Sequence, residues 1–247
     1  MASPAKRVRS SDPMLIKAVE ARNMSMMSKG IDELIKAVYK RARERSITDP
    51  QVIQRMVMRE AQAWGEVGKR LALERITRSR MAGRAHGREL LKIMGIEAPS
   101  DQASDLLGRD SEAEQIMRVM NDHELLKAEL IQELSDKLLG VTQVSDREAR
   151  ASLKVGLAGT RNHARQVASA ETVNPFRASA LEQYTLVGVT VVEWYTTRGE
   201  MACDICRARH GKKYPIDRLP EIHFGCLCDL LPTDVEMYRL EAVEVPA

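Results

Sequence analysis

Apolar residues recur three and four positions apart through the first part of the chain. Ile31, Leu34, Ile35, Val38, Tyr39 and Ala42 mark one such face, and Val52, Ile53, Met56, Val57, Ala63, Trp64, Val67 and Leu71 mark a second. Asp12-Pro13 and Asp49-Pro50 each place a capping side chain just before a proline at the first helical position. Two long helices are therefore predicted within a helical N-terminal region, residues 12–94, with Gly83 and Gly87 weakening the end of the second. The stretch from Gly95 to Ser104 has linker composition, and the connection is placed at residues 95–110. Helix is expected again over residues 111–140, closed by Gly140. Ser145 with Glu148 three residues on forms a capping-box signature. It predicts helix to about Tyr184, with a break near Asn174-Pro175.

The pattern changes after Leu186. Val187, Val189, Val191, Val192, Trp194 and Tyr195 make the strongly β-prone segment of the chain, and a second short strand is expected from Cys226 to Leu231, closed by Pro232. The fold class is thus α+β: a mostly helical N-terminal region and a small mixed C-terminal domain, residues 145–233, containing a β-hairpin. Residues 1–11 read as a flexible basic tail and 234–247 as a C-terminal tail.

Composition narrows the classes. Hydrophobic residues make up 44% but aromatics only 4%, so the core must be aliphatic. There is no run of eighteen apolar residues, so no membrane span is expected. The basic N-terminus lacks the apolar segment of a secretory signal, which leads us to expect a reducing compartment. All 4 cysteines lie between Cys203 and Cys228, a clustering that in a reducing compartment indicates metal and not a disulfide framework.

Cys203-Asp204-Ile205-Cys206 forms a knuckle that can present two thiolates to one tetrahedral ion, and His223-Phe224-Gly225-Cys226-Leu227-Cys228 can complete the site. Five candidate ligands (Cys203, Cys206, His223, Cys226 and Cys228) compete for four places. One of the last three is spare, and alternation along a strand does not choose among them. A saturated site has no open position for water, so the expected ion is structural Zn2+. It would stabilise a region too small to bury much surface.

The same segment resembles the C-terminal domain of phage Mu F-like minor head (head morphogenesis) proteins. The resemblance is carried by Trp194 with Thr196 and Thr197, the Cys203/Cys206 knuckle, Gly211, Tyr214, Pro220, and His223, Cys226 and Cys228 ending in Pro232. Upstream, Arg161, Arg165, Ala170-Glu171-Thr172 and Asn174 sit where that family carries an Arg-rich helix and a Thr-Glu-Thr-like segment. Ser169 and Leu227 stand where the family has arginine. The resemblance implies a minor capsid protein of a tailed phage, made in the host cytoplasm and carried in the virion, inside the capsid near the portal. Its implied partners are the portal protein, with major capsid or scaffolding protein and packaged double-stranded DNA as further candidates. Its implied work is head assembly or DNA delivery.

Residues 69–92 hold eight Lys/Arg against Glu74 and Glu89, a net +6 in a chain of net +3. Arg80, Arg84, Arg88 and Lys92 repeat every fourth position and would make one stripe for DNA phosphates or an acidic portal surface, or simply a solvated face. Met24, Met26, Met27, Met56 and Met58 are expected to fill core, and Trp64 and Trp194 to anchor it. His86, His123, His163 and His210 are isolated in sequence. No phosphate-binding loop, Gly-x-Ser-x-Gly or Cys/His pair outside the cluster is present, so an enzyme is not expected. The rival readings are a nuclease on a zinc knuckle, which would need a second His/Asn/Asp set, and a zinc-knuckle nucleic-acid-binding protein.

Overall fold

The structure is a computed structural model that describes residues 14–141, 144–196, 202–222, 226 and 228–233. The tails expected at 1–11 and 234–247 fall outside those residues. Helices α1 (Met14–Glu44) and α2 (Pro50–Ile93) occupy the first predicted region. They are followed by α3 (Asp101–Val141), α4 (Asp146–Gly156), α5 (Ala158–Leu186), β1 (Val191–Tyr195), α6 (Asp204–Arg209), β2 (Lys213–Pro215), a 3-10 turn at Ile216–Arg218, and β3 (Asp229–Pro232). The chain is mostly helical, with one small antiparallel sheet.

Several sequence expectations need correcting at this level, among them the closing role of Gly140, since α3 runs on to Val141. The non-helical link after α2 is shorter than 95–110, because α3 begins at Asp101. Ser100 Oγ accepts the backbone N–H of Ala103 at 3.2 Å, so this polar residue caps a helix and does not extend a linker. The break near Asn174-Pro175 is also absent. Pro175 lies inside α5, and the interruption falls instead between α4 and α5 at Leu157. Proline removes one helical donor. Just downstream, the single Ser179 hydroxyl lies 2.8 Å from the Arg80 carbonyl of α2, 2.9 Å from that of Pro175 and 3.1 Å from that of Phe176.

The chain divides into two units, and neither is continuous in sequence. The cysteine-free unit comprises Glu20–Arg75 and Ile116–Glu171. Its core is aliphatic, as composition required: Ile31, Leu34, Ile35 and Val38 pack with Ile53 and Val57, and with Leu126, Leu130, Leu134 and Leu138 repeating every fourth residue of α3. Met27 is in this core and Met24, Met56 and Trp64 pack on it, whereas Met26 and Met58 are exposed. The capping box forms as expected, Glu148 N–H reaching Ser145 Oγ at 3.4 Å and Ser145 N–H reaching Glu148 Oε2 at 3.1 Å.

Several buried polar groups in this unit pair with one another, although His123 Nδ1 is buried without a hydrogen-bond partner among the described residues. Glu171, from the Ala-Glu-Thr segment, is fully buried, with one oxygen 2.5 Å from His123 Nε2 and the other accepting from Arg75 Nε at 2.6 Å. Ser169 donates to the buried Glu20 carboxylate at 2.5 Å. A cleft of about 920 Å³ opens between α1, α4 and α5, with Ile35, Tyr39 and Leu153 in its walls and Lys36, Arg150 and Arg165 on its rim.

The cysteine unit comprises Ile76–Gln115 and Thr172–Ala247 with Met1–Val19. Its sheet has the order β2-β1-β3, with Val192 opposite Tyr214 on one side and Trp194 opposite Leu230 on the other. Leu90 and Leu91 of α2, Ala180 and Tyr184 of α5, Val192, Trp194 and Leu231 form the core together with Cys206, Cys226 and Cys228. Gly188, at φ +81°, ends α5 in the left-handed region that glycine tolerates. The following N–H of Val189 returns to the Tyr184 carbonyl at 3.0 Å, and this reversal aims the chain into β1.

Gly83 and Gly87 do not weaken α2. They are where α5 comes close: a Cβ on Gly83 would overlap the Phe176 carbonyl, and one on Gly87 would lie 3.1 Å from Ala180 Cα.

Candidate metal centre

β1, α6 and the segment entering β3 bring the distant cysteines together. β1 is apolar because it is central in the sheet, and Trp194 on it is 1% exposed. The chain leaves β1 through Thr196 and re-enters at Ala202. Cys203 then caps α6, its Sγ accepting the backbone N–H of Cys206 at 3.4 Å. One helical turn thus brings the Cys206 backbone N–H to the first sulfur of the predicted knuckle, while Cys203 itself is not among the three clustered thiols. Gly211 returns the chain to β1, its N–H bonding the Trp194 carbonyl at 2.8 Å.

Cys206, Cys226 and Cys228 are buried, and their sulfurs lie within 4.8 Å of one another. Cys206 Sγ and Cys226 Sγ are 3.6 Å apart. Cys203 is exposed at the edge of this group. Among the described residues these three thiols form a cluster able to hold a metal ion. His223 lies outside the described residues.

The electrostatics of the cluster are uneven. A hydrogen bond from Cys228, together with the Arg177 charge, pulls the Cys226 thiol down to about 4 against the opposing effect of burial. Burial pushes Cys206 up to about 12, and Cys228 is raised by its bond to Cys226 and by burial. The Cys228 hydrogen bond and the Arg177 charge thus both favour the thiolate form of Cys226. A divalent ion would replace those protons, since thiolates and not thiols are metal ligands. Thr196 adds a neighbour: its Oγ1 lies 3.0 Å from the Cys206 carbonyl and 3.6 Å from Cys228 Sγ.

Arg177 was not singled out by the sequence. It sits on α5, 5% exposed, with Nε donating to the Cys228 carbonyl at 2.8 Å and Nη2 to the Cys226 carbonyl at 2.5 Å. Nη2 is also 3.4 Å from Cys226 Sγ. Its only sequence signal was a charged residue inside an otherwise small and apolar run, Phe176 to Leu181.

Neither the family models, nor the curated proteins, nor the solved structures contain a match to this chain.

The remaining sequence candidates are placed as follows. Arg80 is 3% exposed and paired with Glu182, its Nη2 lying 3.0 and 2.9 Å from the two carboxylate oxygens. Arg88 Nε donates to Gln183 at 3.0 Å, Arg84 is half-buried, and Lys92 is exposed. The fourfold spacing does put these residues on one face of α2, and at Arg80 and Arg88 that face meets Glu182 and Gln183 of α5. Each isolated histidine has a neighbour: His86 Nε2 is 2.9 Å from Asp229 Oδ2, His123 meets Glu171, His163 Nδ1 is 2.5 Å from Glu129, and His210 Nδ1 accepts from Thr196 N–H at 3.0 Å. Sequence could not find these pairs, because their members lie between 14 and 143 positions apart. No described helix is long and apolar enough to cross a membrane.

Proposed function

We propose that this chain is a minor head protein of a tailed phage, held at the portal vertex, with one structural zinc ion in its cysteine unit. The reading rests on one observation above the others. The knuckle, the Trp194 strand and the Cys226–Cys228 segment carry the head-protein resemblance, and the folded chain gathers three of those cysteines into a buried cluster. The fourth ligand in this reading is Cys203 or His223, the two remaining candidates of the sequence motif. Zinc would supply a four-ligand link between α6 and the edge of β3. The side chains do the rest: Trp194 fills the space behind the cluster, and Thr196 and Arg177 fix its backbone carbonyls.

Such a protein acts by binding and not by turnover. Its partner in this reading is the portal, with capsid or scaffolding protein and packaged DNA as secondary contacts. The burial of Arg80 narrows any DNA contact by α2 to the more exposed end of the stripe, Lys92 and the outer edges of Arg84 and Arg88.

Two measurements test the reading separately. Elemental analysis of purified full-length protein should find one zinc per chain. A folded protein that contains none and gains no stability from added zinc would remove the metal assignment. Purified portal oligomer should capture the full chain. A failure of capture with zinc present would remove the portal assignment and leave the metal site standing.

A further inference from the structure

Arg177 presents a problem of charge. Its guanidinium remains protonated at any pH a protein survives, and it is almost wholly buried. Among the described residues no carboxylate pairs with it, and its Nη1 is buried without a hydrogen-bond partner. The two carbonyls it binds satisfy donors but do not balance a full charge, and a buried charge without a counter-charge is strongly unfavourable. Among the described residues, the group at contact distance that can carry negative charge is the Cys226 sulfur, at 3.4 Å.

A divalent ion bound by three or four thiolates is an anion whichever residue completes the set, so the cluster and Arg177 need each other. We propose that Arg177 is the counter-ion of the metal–thiolate complex and the clamp that presets it. Its charge offsets the excess thiolate charge, and its fork on the Cys226 and Cys228 carbonyls holds both sulfurs toward the ion. The inference rests on the metal reading above. Arg177 is here a positioning residue: it touches the ligands and not the metal. The geometry suits an arginine because one planar group must reach two carbonyls and a sulfur at once, a task for which a lysine has the charge but not the fork.

The test uses full-length protein and zinc itself. Affinity is read by competition with a chromophoric chelator, and the ligand set by the absorption spectrum after replacement with Co2+. Arg177→Gln should bind zinc about 10–100-fold more weakly, the usual effect of losing a group that supports a metal ligand, while the Co2+ spectrum keeps its thiolate charge-transfer bands. Arg177→Lys should fall between Gln and wild type. A purely structural role would instead lower stability equally with and without metal. The proposal requires the stability gap between wild type and Arg177→Gln to narrow once both are stripped by chelator.

Wild-type affinity in a folded Arg177→Gln protein would overturn the proposal. Should that variant fail to fold, Arg177→Lys decides, and wild-type affinity there would overturn the clamp. A wild-type chain that binds no zinc is a different failure, one that removes the metal reading itself.

Discussion

At the scale of single residues, the buried charges are what sequence reading reached least well. Arg80 was visible only as one member of a basic stripe, yet it is 3% exposed and held by both oxygens of Glu182. Glu182→Gln should leave that charge buried without its partner and destabilise the protein by about 3 kcal/mol. The low end of the usual range applies because Glu112 remains 3.9 Å from Arg80 Nε. Chemical denaturation would show this, and a loss under about 1 kcal/mol would mean that water reaches the pair.

His86 makes a second prediction, one that depends on pH. Burial works against its charged form, but the hydrogen bond and charge of Asp229 outweigh burial, and its pKa is raised. A raised folded-state pKa means the stabilisation is fully present below the ordinary imidazole value and is lost as pH rises through the folded value. Unfolding free energies of wild type and His86→Gln, measured from pH 5 to 9, should differ most at the acid end and converge as the pH rises. A gap that widens with pH would reverse the assignment.

At the scale of elements, most of the architecture was legible. The 3.6-residue periodicity gave α1 and α2, the Ser145/Glu148 box gave the start of α4, and the β-branched run gave β1. Each is a local signal, satisfied within a few residues. The errors came where tertiary contacts decide. Pro175 stays helical, and Gly83 and Gly87 mark close approach, because α5 packs against α2 there. β2 is three residues long and was missed, since a strand that short has no period to read.

Two glycines therefore carry opposite predictions. On an open helix, Gly→Ala gains up to about 1 kcal/mol. Gly140, with nothing within 4 Å of an added Cβ, should follow that rule. Gly83→Ala meets the Phe176 backbone instead and should lose about 2 kcal/mol, overpacking outweighing propensity. Thermal melts of the two variants should move in opposite directions, and a stabilised Gly83→Ala would refute the close approach.

At the scale of the whole molecule, the candidate site was legible in part. Cys203 and Cys206, with two residues between them, announced a knuckle, and of the four cysteines Cys206, Cys226 and Cys228 do converge. The supporting shell was not legible, because Arg177, Thr196 and the α2 residues behind the cluster reach it only through the fold. Chelation should therefore speed hydrogen exchange in β1, α6 and β3 while leaving α1 and the 116–141 part of α3 protected. Uniform loss of protection would show that the ion stabilises far more than its own sheet.

The discontinuity of the cysteine unit has a consequence for how the chain is made. Residues 76–115 leave the ribosome well before residues 172–233, with the whole of 116–171 in between. At about 5–20 residues per second, Leu90 and Leu91 wait roughly 5–20 s for the first of their covering strands, which begins at Val191. Throughout that time the apolar side of α2 is open to chaperones or to a neighbouring nascent chain. The three clustered cysteines are complete only at Cys228, so any ion they take up would mark a nearly finished chain, and a chain interrupted before Cys226 would keep that side of α2 open.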